Sequence, residues 1–367
     1  YNVLIGDQAG YSLSTTSDNN ENVMIGNAAG QYADAATNAA HYNVYVGSGA
    51  GRYMDDGDSN VYIGREAGKG SGTGNNATQN ILIGYQAGFV VTTGDNNVAV
   101  GYQALDANTI GADNVAIGSG ALTTEDVGDR AIAIGSHALA LQNSDSNNEA
   151  SANIGVGYAS GYYNVTGIYN TYIGYYAGAG ASGQSNSYNT AVGFESLKAV
   201  TTGGSNVAVG YQAGYSTDSN GSNVFIGHNA GYEADSATVS AINNVYIGEA
   251  AGRYLDDGVN NVALGFGAMQ SNSDGAANTV NSAIAIGRNA MASSVSNQGT
   301  IAIGYYANDH ASADVDNAVI IGREAGRGAM TSAADGTVAI GYAALQDLTS
   351  GQNNTAVGYR ALADLTT

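Results

Sequence analysis

The chain of 367 residues carries 31 acidic against 10 basic side chains, a net charge of −21, and contains no Cys, Pro or Trp. Without cysteine there are no disulfides, thiolate metal sites or cysteine nucleophiles. So acidic a surface repels nucleic acid and anionic membranes, and because Gly, Asn and Asp interrupt every apolar run, no membrane insertion is expected.

The first element is residues 2–9, Asn-Val-Leu-Ile-Gly-Asp-Gln-Ala, and nineteen further copies of its pattern follow. Copies one to five are anchored at Gly6, Gly26, Gly47, Gly64 and Gly84. Each has a large residue two before the glycine (Leu4, Met24, Tyr45, Tyr62, Leu82) and a second glycine four after it. After the third copy comes the acidic stretch Met54-Asp55-Asp56-Gly57-Asp58. Copies six to eight, at Gly101, Gly118 and Gly135, instead have Ala before and Leu105, Leu122 or Leu139 after. The ninth copy, at Gly157, has Gly155 in the first place. The tenth, at Gly174, returns to a large residue, Tyr172. Copies eleven to twenty (Gly193, Gly210, Gly227, Gly248, Gly265, Gly287, Gly304, Gly322, Gly341, Gly358) mix both kinds, and Leu255-Asp256-Asp257-Gly258 repeats the acidic turn.

A period of 17–22 residues predicts an all-β parallel β-solenoid, or β-roll, of about twenty coils, with residues 1–367 forming a single array. Three residues before each glycine stands Val, Ile or Thr, and one before stands Ile, Val or Leu264. These two share one side of a strand, and β-branching suits a packed pleated surface. Ala three after the glycine, in eighteen copies, implies a narrow core. Each coil therefore reads as a strand, a tight glycine turn, a second short strand and a return loop. Asn four before the glycine, in fifteen copies, suits a hydrogen-bonded side-chain ladder or a turn. Insertions fall only in the return loops, as at Ala140–Ala152 and Gln270–Ser282.

The residue two before the glycine should then point outward, yet it is apolar in nineteen copies. All nine large residues there are matched by Gly four after the glycine, and eight of ten alanines by Leu or Met. Such a trade of volume implies one shared, close-packed slot. Placed outward, the slot predicts self-association, most simply a parallel homotrimeric rod; a return loop folded over it is the alternative. Residues 30–64 also align without a gap with residues 231–265, an internal duplication. Tyr1 opens inside a repeat, so the sequence reads as a length cut from a longer chain.

The stretches VTTGDNNVAVGYQAL (91–105), TTGGSNVAVGYQAG (201–214) and NTAVGYRAL (354–362) resemble the repeats of phage tail-fibre-type proteins and bacterial surface fibres. AIAIGSHALA (131–140) and AIAIGRNAMA (283–292) are loosely similar to head repeats of trimeric autotransporter adhesins. The resemblance implies trimeric assembly and an extracellular place on a virion tail fibre or cell surface. It also implies a role in attachment to a host, through a surface glycan or receptor.

Chemistry is sparse. His41, His137, His228 and His310 lie on different coils, and no catalytic triad, phosphate loop or zinc spacing is present. The metal candidates are Asp55, Asp56, Asp58, Asp256 and Asp257, whose clustered carboxylates beside Gly match the oxygen ligands of calcium. An ordinary Asp-Gly turn is the alternative, and no other cofactor is expected. Tyr or Phe follows the glycine in ten copies, a row that reads as a packing ladder or as a glycan-binding strip. The expected function is a non-enzymatic structural fibre segment. The alternatives are a subunit of an end-to-end extracellular filament and a glycan hydrolase using carboxylates such as Asp55 or Glu66.

Overall fold

The computed structural model describes residues 1–13, 21–33, 40–72, 74–144, 150–233, 241–255, 258–271, 279–293, 296–309 and 315–367. The chain forms two compact units, Tyr1–Asn186 and Ser187–Thr367, and the repeat runs through both. The first holds ten three-residue strands, β1 (Val3–Ile5) to β10 (Thr171–Ile173). The second holds ten more, β11 (Thr190–Val192) to β20 (Thr355–Val357). Within each unit every strand pairs with the next in parallel and in register. Val98, Ala99 and Val100, for example, stand opposite Val115, Ala116 and Ile117. Each unit is thus the expected parallel β-solenoid, one strand per coil. The second short strand is not formed. Residues after the glycine are a run of turns with left-handed φ at alternate positions, such as Gln103 (50°) and Leu105 (55°). Their amides still bond to coils on both sides, Gln103 N to Tyr85 O at 2.9 Å and Leu105 N to Ala121 O at 3.0 Å.

The two faces of the strand are the reverse of the expectation. The middle residue of each strand points into its own coil: Met24, Tyr45, Tyr62, Tyr172, Phe225 and Tyr246 are completely buried. The flanking β-branched residues point out, half-buried or exposed, as with Ile117 and Ile226 at 38% exposure. A three-residue strand has only one inward side chain, so the coil is filled by that residue, by Ala three after the glycine, and by the residue after it. The volume trade is therefore internal. A Cβ on Gly68 would lie 2.4 Å from the Tyr62 ring, and one on Gly252 would lie 2.3 Å from Tyr246. Ala208 and Gly214 together leave space, which Phe225 of the next coil and Leu197 of the previous one fill. A single chain buries this slot, so the slot gives no reason for a second copy.

Two backbone devices lock the stack. At Gly118, φ is +136° and a Cβ would lie 2.4 Å from the carbonyl oxygen of Gly135 in the next coil. Only glycine combines that conformation with that approach. The buried Asn residues form the expected ladder: Oδ1 of Asn97 accepts the backbone N–H of Asn114 at 2.9 Å. Asn97 Nδ2 donates to Gly111 O at 2.8 Å. Each such Asn thereby ties a strand to the next coil and to its own return segment. Where Ala131 interrupts the ladder, buried Glu125 accepts from Gly128 N (2.7 Å), Gln142 Nε2 (3.0 Å) and Ser144 Oγ (3.1 Å). Gln142 Oε1 in turn accepts from Asn153 Nδ2 at 2.9 Å.

Candidate functional site

In-register pairing lines up like residues from coil to coil, so the surface of each unit is built of side-chain columns. Three columns face solvent on the strand side: the two rows of outward Val and Ile, and the row immediately after the glycine. The last carries Tyr or Phe in ten of the twenty copies, and where such rings fall on adjacent coils they stack. Ring centroids are 5.4 Å apart for Tyr85–Tyr102, 5.2 Å for Phe194–Tyr211 and 5.2 Å for Tyr342–Tyr359, with interplanar angles of 8°, 4° and 13°. Rings stacked in this way spend their faces on one another and present edges. A sugar packs against a ring face, so these columns have the geometry of the packing ladder.

Three of the scarce cations, Arg65, Arg288 and Arg323, stand in this column, and five more stand five residues after their glycines. Arg288 lies between Phe266 (5.2 Å) and Tyr305 (5.9 Å), and Arg323 between Tyr305 (5.4 Å) and Tyr342 (5.9 Å). With Arg52, Arg65, Lys69, Lys198, Arg253 and Arg327, eight of the ten basic side chains sit over an aromatic ring. Cation–π contact of this kind stabilises the stack of coils, and the bases are dispersed along the chain.

Asp55 is buried and accepts a hydrogen bond from Gly74 N. Asp58 Oδ1 accepts from His41 N at 2.6 Å, as Asp95 does from Thr78 N and Asp129 from Ala112 N, also in return segments. Asp56 is half-buried beside them. Asp256 and Asp257 lie outside the described residues, as does His310. Among the described residues no three His, Asp or Glu side chains gather as metal ligands would. Of the histidines, His228 stacks on Tyr211 at 5.0 Å, His41 lies 5.8 Å from the Tyr42 ring, and His137 joins a group of tyrosines.

Glu66 accepts from Lys69 Nζ (3.3 Å) and Gln86 Nε2 (3.0 Å), and Gln86 Oε1 accepts from Gln103 at 3.1 Å. Burial pushes the Glu66 carboxyl up, but the Gln86 and Lys69 hydrogen bonds and the Lys69 and Arg65 charges outweigh it and hold the group below its usual value. A carboxyl so held is ionised at neutral pH and poorly matched to general-acid work. Burial raises the Tyr62 phenol far above its ordinary range, so it stays neutral in the core.

One cluster lies outside the residues that the repeat pattern singles out. Residues 150–194 form an uninterrupted run without a charged residue and hold eight of the 26 tyrosines. That run was visible as a composition shift. The depressions its tyrosines line depend on which residues of neighbouring coils become adjacent, which the chain order does not display. Among the described residues no helix is long and apolar enough to cross a membrane. Compared with models of protein families, the chain matches none, and comparison with curated proteins likewise finds no match.

Proposed function

We propose that this chain is a non-enzymatic structural segment of an extracellular fibre, of the tail-fibre or cell-surface adhesin kind, supporting attachment to a surface. In this reading copies associate side by side through the outward Val and Ile rows, as a parallel homotrimer. The observation that carries it is that face itself. In every strand of both units, two β-branched or Leu side chains flank the inward one and lie outside the coil.

Ten strands at ~4.8 Å and two residues of width give each unit a face of roughly 45 by 7 Å, on the order of 300 Å² in projection. The column beside it, aromatic in half of the copies, adds about half as much again, which lies within the range of the largest apolar patches that soluble monomers leave bare. A second copy is the occupant that fits best. An identical set of rows at the same spacing matches this one along its whole length, and a cyclic arrangement closes it. The sequence resemblance to tail-fibre and adhesin repeats supports the same reading.

Light scattering with negative-stain imaging tests it. The expected mass is that of three chains. Val100→Asp with Ile117→Asp should reduce it to one, while Thr93→Asp, an exposed change in a return segment, should leave it unchanged. A single-chain mass for the unaltered protein overturns the side-by-side assembly. Particles whose length grows with concentration would replace it by the end-to-end filament, and cleavage of glycans would replace it by the hydrolase.

A further inference from the structure

We infer that the tyrosine cluster of the first unit is a binding site for a neutral oligosaccharide, with two adjoining sugar subsites separated by His137. This rests on the attachment role proposed above and names its ligand class.

The site arises from a simple alternation. Two residues after the anchoring glycine, successive coils carry Gln103, Gly120, His137, Ala159 and Tyr176: large, small, large, small, large. All five have φ between 50° and 63°, so they form one regular column. Amide bonds from coil to coil hold it, Gly120 N to Tyr102 O at 2.9 Å and Ala159 N to Ser136 O at 3.0 Å. Where the residue is small, the column is notched. The notch over Ala159 is a depression of about 240 Å³ lined by His137, Tyr158, Tyr162, Tyr163 and Tyr176. The notch over Gly120 is one of about 180 Å³, with Tyr102, Gln103, Thr123, Thr124, His137 and Tyr162 among its lining. His137 and Tyr162 belong to both. Two coils separate the notches, ~9.6 Å at ordinary strand spacing. Each is smaller than a drug-sized pocket.

Ring geometry here mixes one stacked pair with several edge-to-face contacts. Tyr158 meets Tyr176 at 80°, Tyr162 meets Tyr163 at 80°, and Tyr175 meets Tyr176 at 86°. His137 lies 6.3 Å from Tyr158 at 61° and 6.2 Å from Tyr162 at 44°. Tyr158 is itself stacked on Tyr175 (5.3 Å, 17°), so the rings offered to the depressions are those of Tyr162, Tyr163 and His137, which lie outside that stack. The aromatic column after the glycine is also broken here by Ser119 and Ser136, and Ser119 joins the lining of the second notch.

The chemistry of the lining selects the ligand. Neither depression is lined by a Lys, Arg, Asp or Glu, although the chain as a whole is strongly acidic. An ionic ligand would find no counter-charge. The lining combines aromatic faces with phenol, hydroxyl, amide and imidazole groups, the combination that meets a sugar ring, apolar on its faces and hydroxylated at its rim. Thr123 supplies a second, independent pointer. Its hydroxyl oxygen is shielded from solvent and has no hydrogen-bond partner. It lies 3.3 Å from where a Cβ on Gly120 would be, at the floor of the second notch. A buried hydroxyl left unpaired is costly, and a sugar hydroxyl in that notch would pair with it.

The test uses the whole chain against an array of neutral gluco-, galacto- and manno-configured oligosaccharides, followed by calorimetric titration of any trisaccharide that binds. Binding is expected, and Tyr162→Ala or His137→Ala should weaken it about tenfold or more. Thr123→Val should weaken it less, and Tyr342→Ala, in a stacked column of the other unit, should not change it. Circular dichroism melting controls for folding. The inference is overturned if no neutral oligosaccharide binds, or if Tyr162→Ala and His137→Ala bind as the unaltered protein does. Adhesion of the protein to whole cells separates the two readings. Adhesion without any effect of these substitutions removes the saccharide site and leaves the attachment role, whereas binding of a free oligosaccharide without adhesion removes the attachment role and leaves the site.

Discussion

Asn308 shows how strict the interior of a coil is. Its coil has Ala302 on the strand, and eight of the ten coils with Ala there place Leu or Met where Asn308 stands. Asn308 is completely buried, and neither atom of its amide has a hydrogen-bond partner. Its φ of 52° is shared by Leu362 at the equivalent position, so leucine fits the backbone there. Asn308→Leu should stabilise the protein by about 1–3 kcal/mol, the cost of an unpaired buried amide. A higher urea midpoint at unchanged slope would show it. A lower midpoint would mean that the amide is engaged by a group the fold alone does not reveal. The pairing of volumes that exposes this misfit was readable from the sequence, because it lies within one repeat.

Between coils, the elements communicate through side-chain columns, and one column reports on pH. Glu66, Gln86 and Gln103 are joined in series, and Glu195 holds Gln212 (2.7 Å) and Lys198 (2.6 Å) in the same manner. For Glu195, burial raises the carboxyl, and the Lys198 and Gln212 bonds overcome it and lower it, as at Glu66. A lowered carboxyl contributes stability that is complete above the unfolded pKa of ~4.3 and vanishes as pH falls through the folded one. The advantage of the unaltered protein over Glu66→Gln, measured as melting temperature, should therefore be constant from pH 7 to about 5 and shrink below about 4. An advantage that grows on acidification would contradict the ladder.

The strand itself was only half legible. Its position, length and in-register stacking follow from the repeat, as does the need for glycine after it. Which side faced inward did not, because β-branched rows such as Val98/Val100 look like core. With one inward residue per strand, the side facing inward is the one whose volume is matched within the same coil, here Ala99 with Leu105. Both are buried, while Val98 and Val100 are half-exposed.

At the scale of the molecule, the same residue types do different work according to their column. Tyr45 and Tyr246 fill coil interiors, Tyr85 and Tyr102 stack in a solvent-facing column, and Tyr158 and Tyr162 line a depression. Tyrosine enrichment and a row after the glycine are legible in the sequence. The notches come from Gly120 and Ala159, two small residues 39 positions apart whose importance lies in what they omit. The acidic turns are a further whole-molecule question, since Asp55 and Asp58 are used on backbone amides. Exhaustive chelation followed by stepwise return of calcium should leave the melting temperature unchanged. A calcium-dependent rise that Asp55→Asn and Asp58→Asn abolish would establish a cation site at that turn.

The glycine column has a genetic consequence. A backbone that approaches its neighbour so closely at Gly118 fixes one contact per coil, and the length between contacts varies only in the return segment. Removing residues 98–114 would join Asn97 to Val115 and leave each remaining strand with a correctly phased neighbour. Removing a single residue between Val98 and Leu105 would shift every side chain after it in that coil onto the wrong side. Length in such a gene changes by whole coils, as if the protein carried a reading frame of its own, counted in units of 17–22 residues.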